Sequence, residues 1–184
     1  CYEVDGSVLW TNLVEDFSSH STGSSVYDFE GDGYAEVVYA DETTLWIYQG
    51  ATGHVRLAES THTSGTVNEY PVIVDVDGDG EVEIVVPDVE GVYVVGDADH
   101  SWVKARQVWN QASYNITNIE EDLSIPRHPA TNWPAYNNFR SGDITPNVGA
   151  RLGDAFPVWV DVCLEDCDDG VVQLVVQLGN GGLS

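Results

Sequence analysis

Asp75-Val76-Asp77-Gly78-Asp79-Gly80-Glu81-Val82-Glu83 decides the reading of this chain. Carboxylates fall at positions one, three, five and nine of the stretch, with a glycine at position six. Alternate side chains of an extended turn point inward, a glycine permits the sharp bend, and a later acid closes the shell. An oxygen-only calcium loop is built this way, and the peptide carbonyl of position seven, Glu81, would complete the set. The helical version of such a loop has a bidentate Glu at position twelve and a helix on each side. Here the flanks are Tyr70-Pro71-Val72-Ile73-Val74 and Val82-Glu83-Ile84-Val85-Val86. Both are short and β-branched, so the loop is expected to join two strands.

The pattern occurs a second time. Asp28-Phe29-Glu30-Gly31-Asp32-Gly33-Tyr34-Ala35-Glu36 has acids at one, three, five and nine and glycine at six, between Ser25-Val26-Tyr27 and Val37-Val38-Tyr39-Ala40. Two such loops in register, each between strands, signal repeated units. The candidate metal ligands are therefore Asp28, Glu30, Asp32, the position-seven residue Tyr34 and Glu36 in the first loop. In the second they are Asp75, Asp77, Asp79, Glu81 and Glu83. The plainer explanation is Asp-Gly hairpin turns with solvated acids. It leaves four carboxylates around one bend repelling each other with no counter-charge.

Composition limits the partners. The 184 residues hold 31 acids against 6 bases, a formal net charge of -25, and their one lysine is Lys104. Such a surface repels nucleic acid and anionic membranes and suits a calcium-rich or salty exterior. With 42% hydrophobic residues, six Trp and nine Tyr, the chain is not a disordered acidic tail. No apolar run is long enough to span a membrane as a helix. The chain opens abruptly on Cys1, with no initiator Met and no signal peptide, which reads as a processed or excerpted piece of a longer polypeptide. A lipidated Cys1 is the alternative, but Tyr2-Glu3-Val4 reads as a strand and not as a tether. Of the three cysteines, Cys163 and Cys167 are close enough in sequence to close a small disulfide loop, as in an exported protein.

In chain order, residues 1–14 read as a hairpin around Asp5-Gly6, and residues 15–24 as a polar loop. The first acid loop follows with its strands, then Thr44–Tyr48, a turn at Gln49–Gly53, and a strand at His54–Leu57. The second unit repeats that order through strands 70–74 and 82–86, a Pro87-Asp88 turn, and a strand at Gly91–Val95. Units of about four short strands, repeated, are how propeller blades read. The strand rhythm stops at residues 101–143, where Trp102, Arg106, Trp109, Tyr114, Trp133, Tyr136, Phe139 and Arg140 are interleaved with Asn and Pro. Lys104–Trp109 is expected to be a short helix. Asn115-Ile116-Thr117 is a formal glycosylation sequon, which makes Asn115 a candidate acceptor. Strands of period two return at Val158–Cys163 and Val171–Leu178, like the opening of a β-sandwich, and their open edges invite pairing with another chain.

These residues carry a resemblance. Tyr27–Gly33 with Glu36-Val37-Val38, and Asp75–Gly80 with Glu83-Ile84-Val85-Val86, are similar to FG-GAP/VCBS repeats, the calcium-binding blades of integrin-α-like propellers. Trp46-Ile47-Tyr48 with Gly50-Ala51-Thr52-Gly53 fits a blade's later strand and turn. Arg106-Gln107-Val108-Trp109-Asn110-Gln111, Tyr114–Asn118, Ile125-Pro126 and Asn132-Trp133 to Phe139-Arg140 resemble the closing segment of large exported bacterial VCBS-type proteins. The tail from about residue 157 is similar to the opening of a CARDB-like, immunoglobulin-like module. Glu30 departs from the repeat, which usually has Asp or Asn there. The resemblance implies an all-β fold, with propeller blades over residues 1–143 and part of an Ig-like β-sandwich over 144–184. It implies a secreted or cell-surface protein of adhesion or scaffold type that holds Ca2+.

The expected function is a non-catalytic, extracellular, calcium-stabilised structural or adhesion module. Its partners would be other copies of itself or other surface proteins, with no nucleic acid and no membrane insertion. The alternatives are a subunit of a polymeric surface fibre that assembles through open strand edges, and a carbohydrate-binding module using the aromatic segment 102–140. No enzyme is expected: His20, His54, His62, His100 and His128 are scattered, and neither HExxH nor GxSxG is present.

Overall fold

The computed structural model describes residues 1–3, 5–18, 22–64, 70–132, 136, 140, 142, 156–162 and 172–179, the last two ranges as strands alone. The fold is all-β, with antiparallel sheets and no helix among the described residues. The strands are β1 (Leu13–Val14), β2 (Ser25–Tyr27), β3 (Glu36–Ala40), β4 (Leu45–Gln49), β5 (Val55–Glu59), β6 (Val72–Val74), β7 (Glu83–Asp88), β8 (Gly91–Val95), β9 (Phe156–Val162) and β10 (Val172–Gly179). The first unit is a four-stranded meander in the order β2-β3-β4-β5, and the second a three-stranded one, β6-β7-β8. Each acid loop joins the first two strands of its unit, as the β-branched flanks require. Tyr27 pairs with Glu36 in one unit and Val74 with Glu83 in the other, so the loops sit in matching register.

Sequence explains how the two sheets stack. Along β3 the run Val37-Val38-Tyr39-Ala40 is apolar without alternation, the mark of a strand covered on both faces. Val38 and Ala40 point one way, with their cross-strand partners Ile47 and Leu45. They meet Ile73, Val82, Ile84 and Val86 of the second unit in one core, with Tyr27, Phe29 and Ala105. Val37 and Tyr39 point the other way and pack with Tyr48, Trp10, Val14 and Cys1. The Trp10 indole N–H donates to the Gly50 carbonyl at 2.7 Å, which fastens the N-terminal segment to the turn after β4. Residues 1–14 do contain the expected reversal, with an antiparallel bridge between Tyr2 and Val8 among the described residues.

Three expectations are corrected. Lys104–Trp109 is not a helix: Ala105 forms a β-bridge, the Arg106 carbonyl accepts the Asp75 N–H at 3.0 Å, and the Arg106 N–H donates to the Gly142 carbonyl at 3.4 Å. These bonds to distant backbone replace those a helix would make locally. Pro87 and Asp88 end β7, and the chain turns one step later, at Val89-Glu90. The second unit has three strands among the described residues where about four were expected.

The aromatic segment is used in packing. Trp102 lies against Phe29, with ring centroids 4.5 Å apart, and Trp109 stacks on Tyr114 at 4.4 Å. The Arg140 guanidinium sits 4.1 Å from the Tyr70 ring centroid and donates to the Ala112 carbonyl at 2.6 Å. β9 and β10 form an antiparallel pair, and the far edge of β10 pairs with β1 through Gln173 and Val172. Cys163 and Cys167, and with them the expected disulfide, lie outside the described residues.

Candidate metal centres

The two loops share a hydrogen-bonding scheme that follows from their spacing. The position-one Asp gathers backbone N–H groups from the bend. Asp28 accepts from Asp32 at 3.1 Å and Gly33 at 2.7 Å, and Asp75 from Gly78 at 2.7 Å and Gly80 at 3.1 Å. The position-nine Glu reaches back to the N–H of position two: Glu36 accepts from Phe29 at 3.2 Å and Glu83 from Val76 at 2.9 Å. The position-five Asp accepts the N–H of position seven, Asp32 from Tyr34 and Asp79 from Glu81, both at 2.8 Å. Glycine is needed where the chain enters the left-handed region, at position six in both loops: Gly33 has φ 88° and Gly80 φ 95°.

This scheme gathers three acids at each loop. Asp28, Glu30 and Glu36 form one triad, and Asp75, Asp77 and Glu83 the other, each offering carboxylate oxygens within 4.8 Å of one another. Of the other expected carboxylates, Asp32 caps its bend and Asp79 forms a separate group with the Glu81 and His100 side chains. Tyr34 and Glu81, at position seven, are expected to offer peptide carbonyls, and the Tyr34 side chain is exposed. Glu81 contacts His100 at 2.8 Å, and that carboxylate raises the pKa of the imidazole. Asn115 lies on a half-buried turn, where its side-chain oxygen accepts the Thr117 N–H at 3.0 Å and hydroxyl at 2.9 Å.

The electrostatics of the triads are costly without a cation. Glu36 is 1% exposed, Asp75 4% and Glu83 9%. Burial pushes the Glu36 carboxyl up to about 8, and the adjacent Glu30 carboxylate acts in the same direction, against the Phe29 N–H and Arg56. Burial also raises Glu83, with the Asp77, Asp79 and Asp75 carboxylates adding to it against the Val76 N–H. Desolvated like charges held this close favour either a proton or a bound cation. The donors are all hard oxygens, which matches calcium in preference to a softer metal.

Sequence spacing missed three neighbours. Arg56 on β5 pairs with Glu30 and, at 3.4 Å, with Glu36. The Gln107 amide donates to Asp75 at 3.2 Å. His100 joins the second loop from beyond β8. Arg56 is placed by strand register, Gln107 by the extended path after residue 101, and His100 by the turn at Asp97 that follows β8. Asp75, Asp77 and Gly78 also form one wall of an open groove of about 560 Å³, whose other lining includes Val72, Val74, Val85, Gln107 and Trp109.

The fold and its paired acid loops define a class of repeat, and residues 28–86 match the model of the FG-GAP-like repeat family. Among solved structures, the chain is similar to the V. cholerae biofilm matrix protein Bap1. The identity is 32%, the match covers 79% of this chain, and the TM-score is 0.71. The chain spans 26% of the length of that protein. No curated protein sequence matches the chain.

Proposed function

We propose that this chain is part of an extracellular, calcium-stabilised structural or adhesion module with no catalytic role. The observation that carries the reading is the pair of in-register triads, each closing on a buried glutamate that also ties the loop backbone. Asp28, Glu30 and Glu36 would hold one calcium ion, and Asp75, Asp77 and Glu83 another. The ion would neutralise each triad and lock the connection between the first two strands of a unit, so that part of its binding free energy becomes folding free energy. The FG-GAP-like repeat and the similarity to a biofilm matrix protein fit a protein placed at or outside the cell surface. Other copies of the chain, other surface proteins or glycans are the partners such a module would join.

The test is a thermal melt in calcium and in excess chelator, with calcium binding followed by calorimetry. A calcium-dependent rise in melting temperature is expected, and an unchanged melt with no binding heat would refute the reading. One observation favours assembly into a fibre as a second role. Among the described residues β8 is an edge strand, and Val92 and Val94 on it are 70% and 48% exposed. Light scattering that shows only monomer at every calcium concentration would count against that role.

A further inference from the structure

We propose that the two loops are unequal cation sites, because Arg56 is a built-in counter-ion for the first. The second loop takes calcium first, and the first takes it only by displacing the Arg56 guanidinium. This rests on the calcium reading above and deepens it.

The asymmetry comes from three differences between units of otherwise matched register. The first is a strand. β5 carries Arg56 and completes the first sheet, and the second sheet has no such fourth strand among the described residues. The second is the acid at position three. Glu30 in the first loop is one methylene longer than Asp77 in the second, and it extends to meet Arg56. The third is the neighbourhood of the position-nine glutamate. Glu36 has the Arg56 guanidinium at 3.4 Å. Glu83 instead faces Gly96, where a Cβ would sit 3.6 Å from the Glu83 Cγ. No Lys or Arg among the described residues forms an ion pair with Asp75, Asp77 or Glu83. The Gln107 amide donates to Asp75 at 3.2 Å, and the Lys104 side chain runs beside Gly80, its Cε 3.8 Å from where a Cβ there would sit, without pairing with the triad.

A guanidinium that pairs with Glu30 and also reaches the Glu36 carboxyl does part of the work of a metal. It offsets the charge, satisfies carboxylate lone pairs and ties β5 to the loop. The side chains of Arg56 and Glu30 are 37% and 32% exposed, so the guanidinium has an open path to swing out when an ion enters. The Glu36 side chain beneath it is buried. The second triad has no such ion-paired substitute among the described residues, and without a metal its carboxylates are held by backbone N–H groups and the Gln107 amide. Giving up a charge-assisted pair of this kind weakens calcium at the first loop by about tenfold or more relative to the second.

Calcium titration by calorimetry, on the chain stripped of metal, reads this directly. We expect two binding classes about tenfold or more apart. Asp77→Asn removes the tighter class. Arg56→Gln tightens the weaker class by about tenfold and leaves the tighter one in place, whereas Arg56→Lys, which keeps the charge, stays near the parent chain. In chelator, Arg56→Gln lowers the melting temperature, because the first triad then has no counter-charge. Two equal classes in the parent chain, or an Arg56→Gln variant whose weaker class is unchanged or weakened, would overturn the role of Arg56 and leave the calcium reading standing. Absence of binding in both the parent chain and Arg56→Gln would overturn the calcium reading itself.

Discussion

Replacing Glu83 with Gln is expected to change protein stability in opposite directions with and without calcium. Glutamine keeps an oxygen to accept the Val76 N–H, now at 2.9 Å, and removes only the charge. Two unit charges 4.8 Å apart, the outer limit within the triad, repel by about 3.5 kcal/mol at an effective dielectric of about 20. In chelator, part of that repulsion is already relieved, because burial and the neighbouring acids favour the protonated carboxyl. Glu83→Gln should therefore stabilise the metal-free protein by about 1–2 kcal/mol, a rise in melting temperature of about 2–8 °C for a chain of this size. In calcium the same change removes a ligand. If affinity falls about a hundredfold, calcium at a hundred times the original dissociation constant gives up most of about 2.7 kcal/mol of stabilisation. Scanning calorimetry of both proteins, each in calcium and in chelator, measures all four quantities. A variant destabilised equally in both conditions would refute the reasoning, because Glu83 would then be a plain hydrogen-bond acceptor.

Further outcomes follow from the same geometry. In chelator, the Glu36 carboxyl holds its proton up to about 8 in the folded state, above its ordinary 4.5. Its contribution is then fully present below about 4.5 and is lost as pH rises through about 8. Urea unfolding across that window should show this slope, weakened in Glu36→Gln and in calcium. Gly50→Ala would place a Cβ 2.2 Å from the Ala35 carbonyl oxygen, so thermal melts should show a loss of about 1–3 kcal/mol or more. Ile84→Ala opens the core between the units and should cost about 2–5 kcal/mol by chemical denaturation. Combined with Val38→Ala across the same core, it should depart from additivity.

Much of this fold is legible in the sequence because its signals are local. The acid spacing fixes the bend, the β-branched flanks fix the strands on either side, and the unbroken apolar run at Val37–Ala40 marks a strand buried on both faces. The site is legible in part. Spacing treats the acids at one, three, five and nine as equals, yet the bend uses Asp32 and Asp79 to hold backbone N–H groups and brings only the other three together. Arg56 could not be read as a neighbour of Glu36, since its position depends on the register of β5 and on the irregularity between Ile47 and Tyr48. Lys104–Trp109 has the residues of a short helix and is held extended by backbone partners at Asp75 and Gly142. Among the described residues, Trp102, Trp109 and Tyr114, which in sequence suggest a sugar platform, pack against rings of the protein itself, which composition alone does not distinguish.

The core shared by the two units has a consequence for how the protein fails. Val38, Ala40, Leu45 and Ile47 are buried only while the sheet bearing Ile84 and Val86 lies over them. Neither sheet closes that core alone, so the free energy of one unit includes an interface term owned jointly with its neighbour. Val82 and Ile84, which follow the Asp75–Glu83 loop, share that core with Tyr27 and Phe29 beside the other loop, so opening one loop is expected to expose the other's neighbours. Under the calcium reading proposed above, loss of the ion at one bend is expected to melt both sheets together, more steeply than either unit would melt alone.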